Sequence, residues 1–204
     1  MSILESILIG ISIAAIPGPI FFELVRRTLT KGFLHGFLLA VGEFLGNLIL
    51  LALIFFGLNS FLTNIIAKII LYLVGSAILI LLGIVAFKLK KKDIERSYTK
   101  KISSKNSIFA GFGIAITSPI VIALWISVSG SYLAQIQSRA LAFLNIFFIA
   151  FGLLIFYLTM SSVIDYTRHK IPAKYLLILS RIFGAILILY GASFMYSAGK
   201  MMIG

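Results

Sequence analysis

The chain contains no cysteine, which excludes disulfides, thiolate metal ligation and a thiol-redox relay. Acidic residues are also scarce, six in 204, and the only two histidines, His35 and His169, are too isolated to suggest a metal site. No catalytic triad spacing, paired intramembrane aspartates or phosphate-cradling loop occurs, so neither an enzyme nor an ATP-driven pump is indicated. Nothing calls for a cofactor. Long polar stretches are missing too, which leaves no room for a separate soluble domain.

What fills the chain is apolar: 61% of residues are hydrophobic and the mean hydropathy is +1.13. A soluble domain of this length could not cover so much apolar surface. About 20 apolar residues span a bilayer core as a helix. Six blocks meet that length, at about 3–22, 33–57, 65–87, 108–128, 141–161 and 176–198. The first lacks the basic flank of a signal peptide, Glu5 being the only charge before Glu23, and is expected to remain as a span.

The net charge of +12 suggests nucleic acid at first sight, but its distribution points to topology. Arg26, Arg27 and Lys31 follow the first span. Eight more, from Lys88 to Lys105, follow the third, and Arg168, Lys170, Lys174 and Arg181 follow the fifth. Only Lys68, Arg139 and Lys200 lie on the other side. The positive-inside rule places the basic loops in the cytoplasm, beside anionic lipid headgroups, and both termini outside. No nucleic-acid partner is needed.

One composition shift, the basic linker 88–107, divides the single transmembrane domain into halves 1–87 and 108–204 of three spans each. Three is odd, so the second half enters the membrane inverted. That is the plan of many small secondary transporters. Gly18-Pro19-Ile20 in span 1 recurs as Ser118-Pro119-Ile120 in span 4, so each half opens with a proline-interrupted helix. The expected fold is an all-α integral membrane protein with six transmembrane helices in two inverted halves.

The interruptions are where chemistry is expected. Proline removes one helical hydrogen bond and displaces the carbonyl four residues back. Pro17, Pro19 and Pro119 would thereby free the carbonyls of Ile13, Ala15 and Ala115. Within lipid such groups need a partner in protein, water or substrate. A carbonyl suits an ammonium group, and the following half-helix N-terminus suits a carboxylate. A zwitterionic amino acid fits both ends of such a break. Pro17, Gly18, Pro19, Thr117, Ser118 and Pro119 are therefore candidate substrate-binding residues, with a plain proline kink as the bland alternative. Glu43 lies about ten residues, or ~15 Å, into span 2. A carboxylate at that depth costs ~2.5–3.5 kcal/mol on insertion scales, so it should face the bundle interior, where it can carry a proton. Asn47, one turn on, is placed to bond either Glu43 or substrate. Glu23, with Arg26 and Arg27 at i+3 and i+4, reads as an interfacial salt bridge, with a cytoplasmic gate as the alternative. Asp165 reads as an interfacial pair near Arg168. Asn145 and Tyr157 are candidate cavity-lining residues.

The glycine and proline spacing resembles that of the LysE/RhtB amino-acid exporter family. Pro17-Gly18-Pro19 is followed by Gly32, Gly36, Gly42, Gly46-Asn47 and Gly57. Span 3 carries Gly75-Ser76-Ala77-Ile78-Leu79 and Leu82-Gly83, span 4 carries Gly111 and Ser118-Pro119, and span 6 carries Arg181, Gly184 and Gly191. The likeness runs the whole length. Where members carry Asp, this chain has Asn47; where they carry Asn-Pro, it has Ser118-Pro119; and Ile20 stands where Asn is frequent. The resemblance implies export of amino acids from the cytoplasm, driven by proton exchange, by a multi-pass protein of a prokaryotic inner membrane, and it leaves room for a homodimer. Two readings compete with that one. An inorganic-cation exporter of the same superfamily is the first, though the lack of Cys and of buried His argues against a soft metal. A non-transporting membrane scaffold docked through its basic linker is the second.

Overall fold

A computed structural model describes residues 2–56, 64–99, 105–135 and 138–203, and every regular element in them is α-helical. Gly57 and linker residues 100–104 lie outside the described residues. The first apolar block forms two helices, α1 (Ile3–Ala14) and α2 (Pro19–Lys31), bent by 78° at the break between them. Then come α3 (Phe33–Phe55), α4 (Ile65–Lys88) and a short helix inside the basic linker, α5 (Lys91–Thr99). The fourth block is again a bent pair, α6 (Lys105–Thr117) and α7 (Pro119–Gln135), at 63°. Two long helices close the chain, α8 (Arg139–Arg168) and α9 (Ala173–Ile203). Four helices are long and apolar enough to cross a membrane, or six spans if each bent pair counts as one.

α2 runs nine residues past the end expected for the first span, because nothing between Pro19 and Gly32 breaks it. Its Leu24, Val25 and Leu29 are buried, and so are Arg26 and Arg27, which the sequence places in a loop. Gly32 ends α2 and starts α3 at φ +95°. A Cβ there would be conformationally strained and would meet the Arg168 guanidinium at 2.8 Å. The α3 N-terminus is held from across the bundle, where Asp165 Oδ1 accepts from the Phe33 N–H at 2.9 Å and pairs with Arg168 at 2.7 Å. The basic linker is therefore not wholly solvated. α5 buries Ile94 completely, and the Tyr98 ring lies under the Arg168 guanidinium at 4.7 Å.

The closest helix pairs are α4 with α9, α3 with α6, and α1 with α8. Small residues permit all three, Gly83 of α4 facing Gly184 of α9 in the first. A Cβ on Gly42 of α3 would run into the carbonyl of Ile108 on α6, and one on Gly111 of α6 into the carbonyl of Leu39 on α3. Gly10 of α1 and Gly152 of α8 meet the backbones of α8 and α1 in the same reciprocal way. Backbone-to-backbone approach of this kind is how helices associate where lipid offers no hydrophobic drive. Gly42 and Gly46 both face α6, so the GxxxG step of span 2 is a packing surface. α3 is the central helix, touching α2, α6, α7 and α8, while the outer faces of α4 and α9 expose Leu73, Leu81, Ile182 and Leu189.

Candidate functional site

The first break is a complete interruption of the helix. α1 stops at Ala14, and Gly18, with extended φ −128° and ψ −177°, is the N-cap of α2. Pro19 occupies the first helical position, where its missing N–H costs nothing. The carbonyl of Ile13, expected to be free, accepts the Ile16 N–H at 3.1 Å, because the chain tightens into one 3₁₀-like turn before it leaves the helix. The Pro17 carbonyl accepts the Tyr190 hydroxyl at 3.3 Å. No side chain caps α2, and its first backbone bond runs from the Phe22 N–H to the Gly18 carbonyl. The amides of Ile20 and Phe21 therefore have no acceptor within the helix.

The second break repeats this pattern. α6 ends at Thr117, Pro119 opens α7, and the Ser118 N–H and carbonyl bond Ile114 and Ile122 on either side. The amides of Ile120 and Val121 are left without a helical acceptor in turn. Ser118 is 2% exposed and its Oγ has no partner among the described residues. Adding a Cβ to Gly18 would meet nothing within 4 Å, so this glycine borders open space.

That space is a cavity of about 270 Å³, lined by Pro17, Gly18, Pro19, Ile20, Glu43, Ser118 and Val121, with walls from Ile114, Leu124, Trp125, Leu153, Tyr157 and Tyr190. Both breaks and the intramembrane carboxyl group therefore share one chamber. Glu43 is 2% exposed; its Oε1 accepts from Asn47 Nδ2 at 2.6 Å, and its Oε2 has no partner among the described residues. The Asn47 Oδ1 accepts from Trp125 Nε1 at 3.0 Å. Asn47 thus sits behind the cavity and ties Glu43 to its Trp125 wall.

Not every candidate lies there. The Thr117 hydroxyl donates to the Gly113 carbonyl at 2.6 Å within its own helix, and Thr117 does not line the cavity. Pro119 borders a second cavity, of about 340 Å³, with Lys68, Leu71, Tyr72 and Ile122. Asn145 donates to the Leu141 carbonyl and accepts from Ser6, pinning α1 to α8. Glu23 is far better buried than an interfacial salt bridge would be. It is fully enclosed, paired with Arg26 at 2.7 Å and Arg27 at 2.5 Å. Arg27 also donates to Ser107 Oγ at 2.9 Å, and His35, buried where no buried histidine was expected, places its Nδ1 3.1 Å from that same oxygen. This cluster fastens α2, α3 and α6 together at their basic ends. Among the described residues no three His, Cys, Asp or Glu side chains come together that could hold a metal ion.

Sequence reasoning missed Tyr190 and the wall formed by Leu124 and Leu153. Trp125 carried a weak signal, as the only tryptophan and set deep in span 4, seven residues after Ser118 and so on the same helical face.

Apolar helices long enough to cross a bilayer, two interrupted spans meeting in one chamber, and a carboxyl group held in its wall define a multi-pass membrane transport protein. The chain belongs to the LysE type translocator family, whose model matches residues 11–198. It is 29% identical, over 205 residues and 98% of each chain, to the "Putative amino acid efflux protein YcgF" of Bacillus subtilis (strain 168). No solved structure matches it.

Proposed function

We propose that the chain is a secondary exporter of amino acids, coupled to proton exchange and working by alternating access across a prokaryotic inner membrane. The observation that carries this reading is the meeting of Pro17-Gly18-Pro19, Ser118 and Glu43 in one cavity. The N-termini of α2 and α7 offer first-turn amides and positive dipole ends to a carboxylate. Ser118 Oγ offers one further hydroxyl donor, and Glu43 Oε2 is the acceptor for an ammonium group. Proton uptake and release at Glu43, with Asn47 orienting it, is the coupling step of this reading.

In this reading each bent pair is one span, giving six, with halves 1–87 and 108–204 inverted and both termini outside. The packing supports it: the first half-helix of each half packs on the middle span of the other, α1 on α8 and α6 on α3, while the third spans, α4 and α9, pair together. Exchange of two equivalent halves generates such a pattern. The buried cluster of Glu23, Arg26, Arg27, Ser107 and His35 then closes the cytoplasmic side, and Glu23 acts as the gate. The relative's name, amino acid efflux, favours this reading over inorganic-cation export.

The test is efflux and counterflow from proteoliposomes loaded with mixed amino acids and read by mass spectrometry, with and without an imposed pH gradient. Selective, gradient-dependent movement of one or a few amino acids is the expected result. No movement from correctly inserted, monodisperse protein would refute the proposal.

A further inference from the structure

Among the described residues, the open polar groups of the cavity suit one zwitterionic head and leave only the Tyr157 hydroxyl facing a side chain. Tyr190 is engaged by the Pro17 carbonyl, Trp125 Nε1 by Asn47, and Glu43 Oε1 by Asn47. What remains open is Glu43 Oε2, Ser118 Oγ and the first-turn amides of α2 and α7. An α-ammonium and an α-carboxylate consume these groups. Among the described residues no Lys, Arg, His, Asp, Asn, Gln or Thr side chain lines the chamber, and apart from the Tyr157 hydroxyl its far wall is aliphatic and aromatic: Ile114, Leu124, Trp125 and Leu153. A second charge on the substrate would be buried there without a partner, which is strongly unfavourable.

The volume points the same way. A dry apolar cavity of about 150 Å³ holds a benzene molecule. A chamber of about 270 Å³ has room for a side chain of that size as well as the amino-acid head.

Resting on the exporter reading, we infer that the cargo is a large apolar amino acid of the leucine, methionine or phenylalanine class, its side chain seated against Trp125 and Leu153. Lysine and glutamate are rejected because a second charge meets no counter-charge on that wall, and serine because it leaves the apolar wall unfilled. Gly18 sets the size limit. Its backbone is in the extended region, which β-branched residues favour, it lines the cavity, and a Cβ there would meet no described atom within 4 Å. Gly18→Val therefore adds bulk at the edge of the chamber on a backbone that accepts a side chain.

Two readouts separate this inference from the one beneath it. Trp125 is the only tryptophan and forms part of the wall, so its fluorescence reports occupancy in detergent, independent of transport. Leucine, methionine and phenylalanine should change that emission, and should leave loaded proteoliposomes, at concentrations at least about tenfold below those needed for serine or lysine. In Gly18→Val the advantage of phenylalanine over alanine should shrink by about tenfold or more, with melting unchanged. Preferred binding and efflux of charged or small polar amino acids would overturn the cargo class and leave the exporter reading standing. An unaltered size preference in Gly18→Val would overturn the seating of the side chain. If no amino acid either moves the Trp125 signal or leaves the vesicles, both readings fall together.

Discussion

Asn47 has both ends of its amide engaged, one by Glu43 and the other by Trp125. Its replacement is therefore more costly than a membrane asparagine would suggest. Asn47→Ala strands Glu43 Oε1 and Trp125 Nε1 in a buried site, and a stability loss of about 2 kcal/mol is expected from unfolding in detergent. Trp125→Phe strands one acceptor only and should cost about half as much. The glycines divide just as clearly. Gly42→Ala drives a methyl into the Ile108 carbonyl and should destabilise the fold by ~1–3 kcal/mol through overpacking, read as a lower melting temperature. Gly18→Ala meets open space and should leave melting unchanged. At this scale the sequence exposed the residues that lipid does not tolerate, Glu43 and the prolines, because their cost demands a reason. Tyr190 and Leu153 were invisible, since an apolar or aromatic residue on a membrane helix reads alike whether it faces lipid or a cavity. Only the tertiary arrangement tells them apart.

α7 is the element that gives the breaks their meaning. One of its faces, Val121, Leu124 and Trp125, lines the chamber shared by the two breaks, and the next, Pro119, Ile122 and Ile126, lines the second cavity beside Lys68 and Tyr72. A half-helix hinged at Ser118-Pro119 between two cavities is suited to a rocking motion that alternates access to the site. Pro119 lies at the first position of α7, where alanine is tolerated, but alanine also lets α6 and α7 join into one helix. Pro119→Ala should therefore keep or raise the melting temperature while reducing efflux at least about tenfold in proteoliposomes. Unchanged efflux would remove the break from the mechanism. Both interruptions were legible in the sequence from proline alone, but their depth was not. The first proved to be four non-helical residues with a new helix beginning at Pro19, because the following run to Lys31 has its own buried face of Leu24, Val25 and Leu29. That same extension carried Arg26 and Arg27 inside, where Glu23 compensates them.

For the whole molecule, the reciprocal packing of α1 on α8 and α6 on α3 argues for two equivalent halves around one central chamber. A chain without cysteine permits direct tests of its sidedness, since each introduced thiol is the only one present. Ser97→Cys on α5 should react with an impermeant maleimide only from the cytoplasmic face, and Ser2→Cys only from outside. If, as proposed, the Glu23 cluster closes the other end, Ile120→Cys, which lines the cavity and is 52% exposed, should react from outside. Labelling of Ile120→Cys from the cytoplasm alone would reverse the assigned gate. The class of fold followed from hydropathy and span count, because lipid restricts spanning backbone to so few forms. Which helices pair did not follow, because that depends on glycine contacts such as Gly10 with α8, whose partners are more than 130 residues away.

The most direct test of the whole reading is proton-driven amino-acid efflux in proteoliposomes containing Glu43→Gln beside the unaltered chain. Efflux driven by a pH gradient should disappear in Glu43→Gln, in a protein that remains folded and inserted. Undiminished pH-driven efflux in that variant would contradict the assignment of the coupling proton to Glu43.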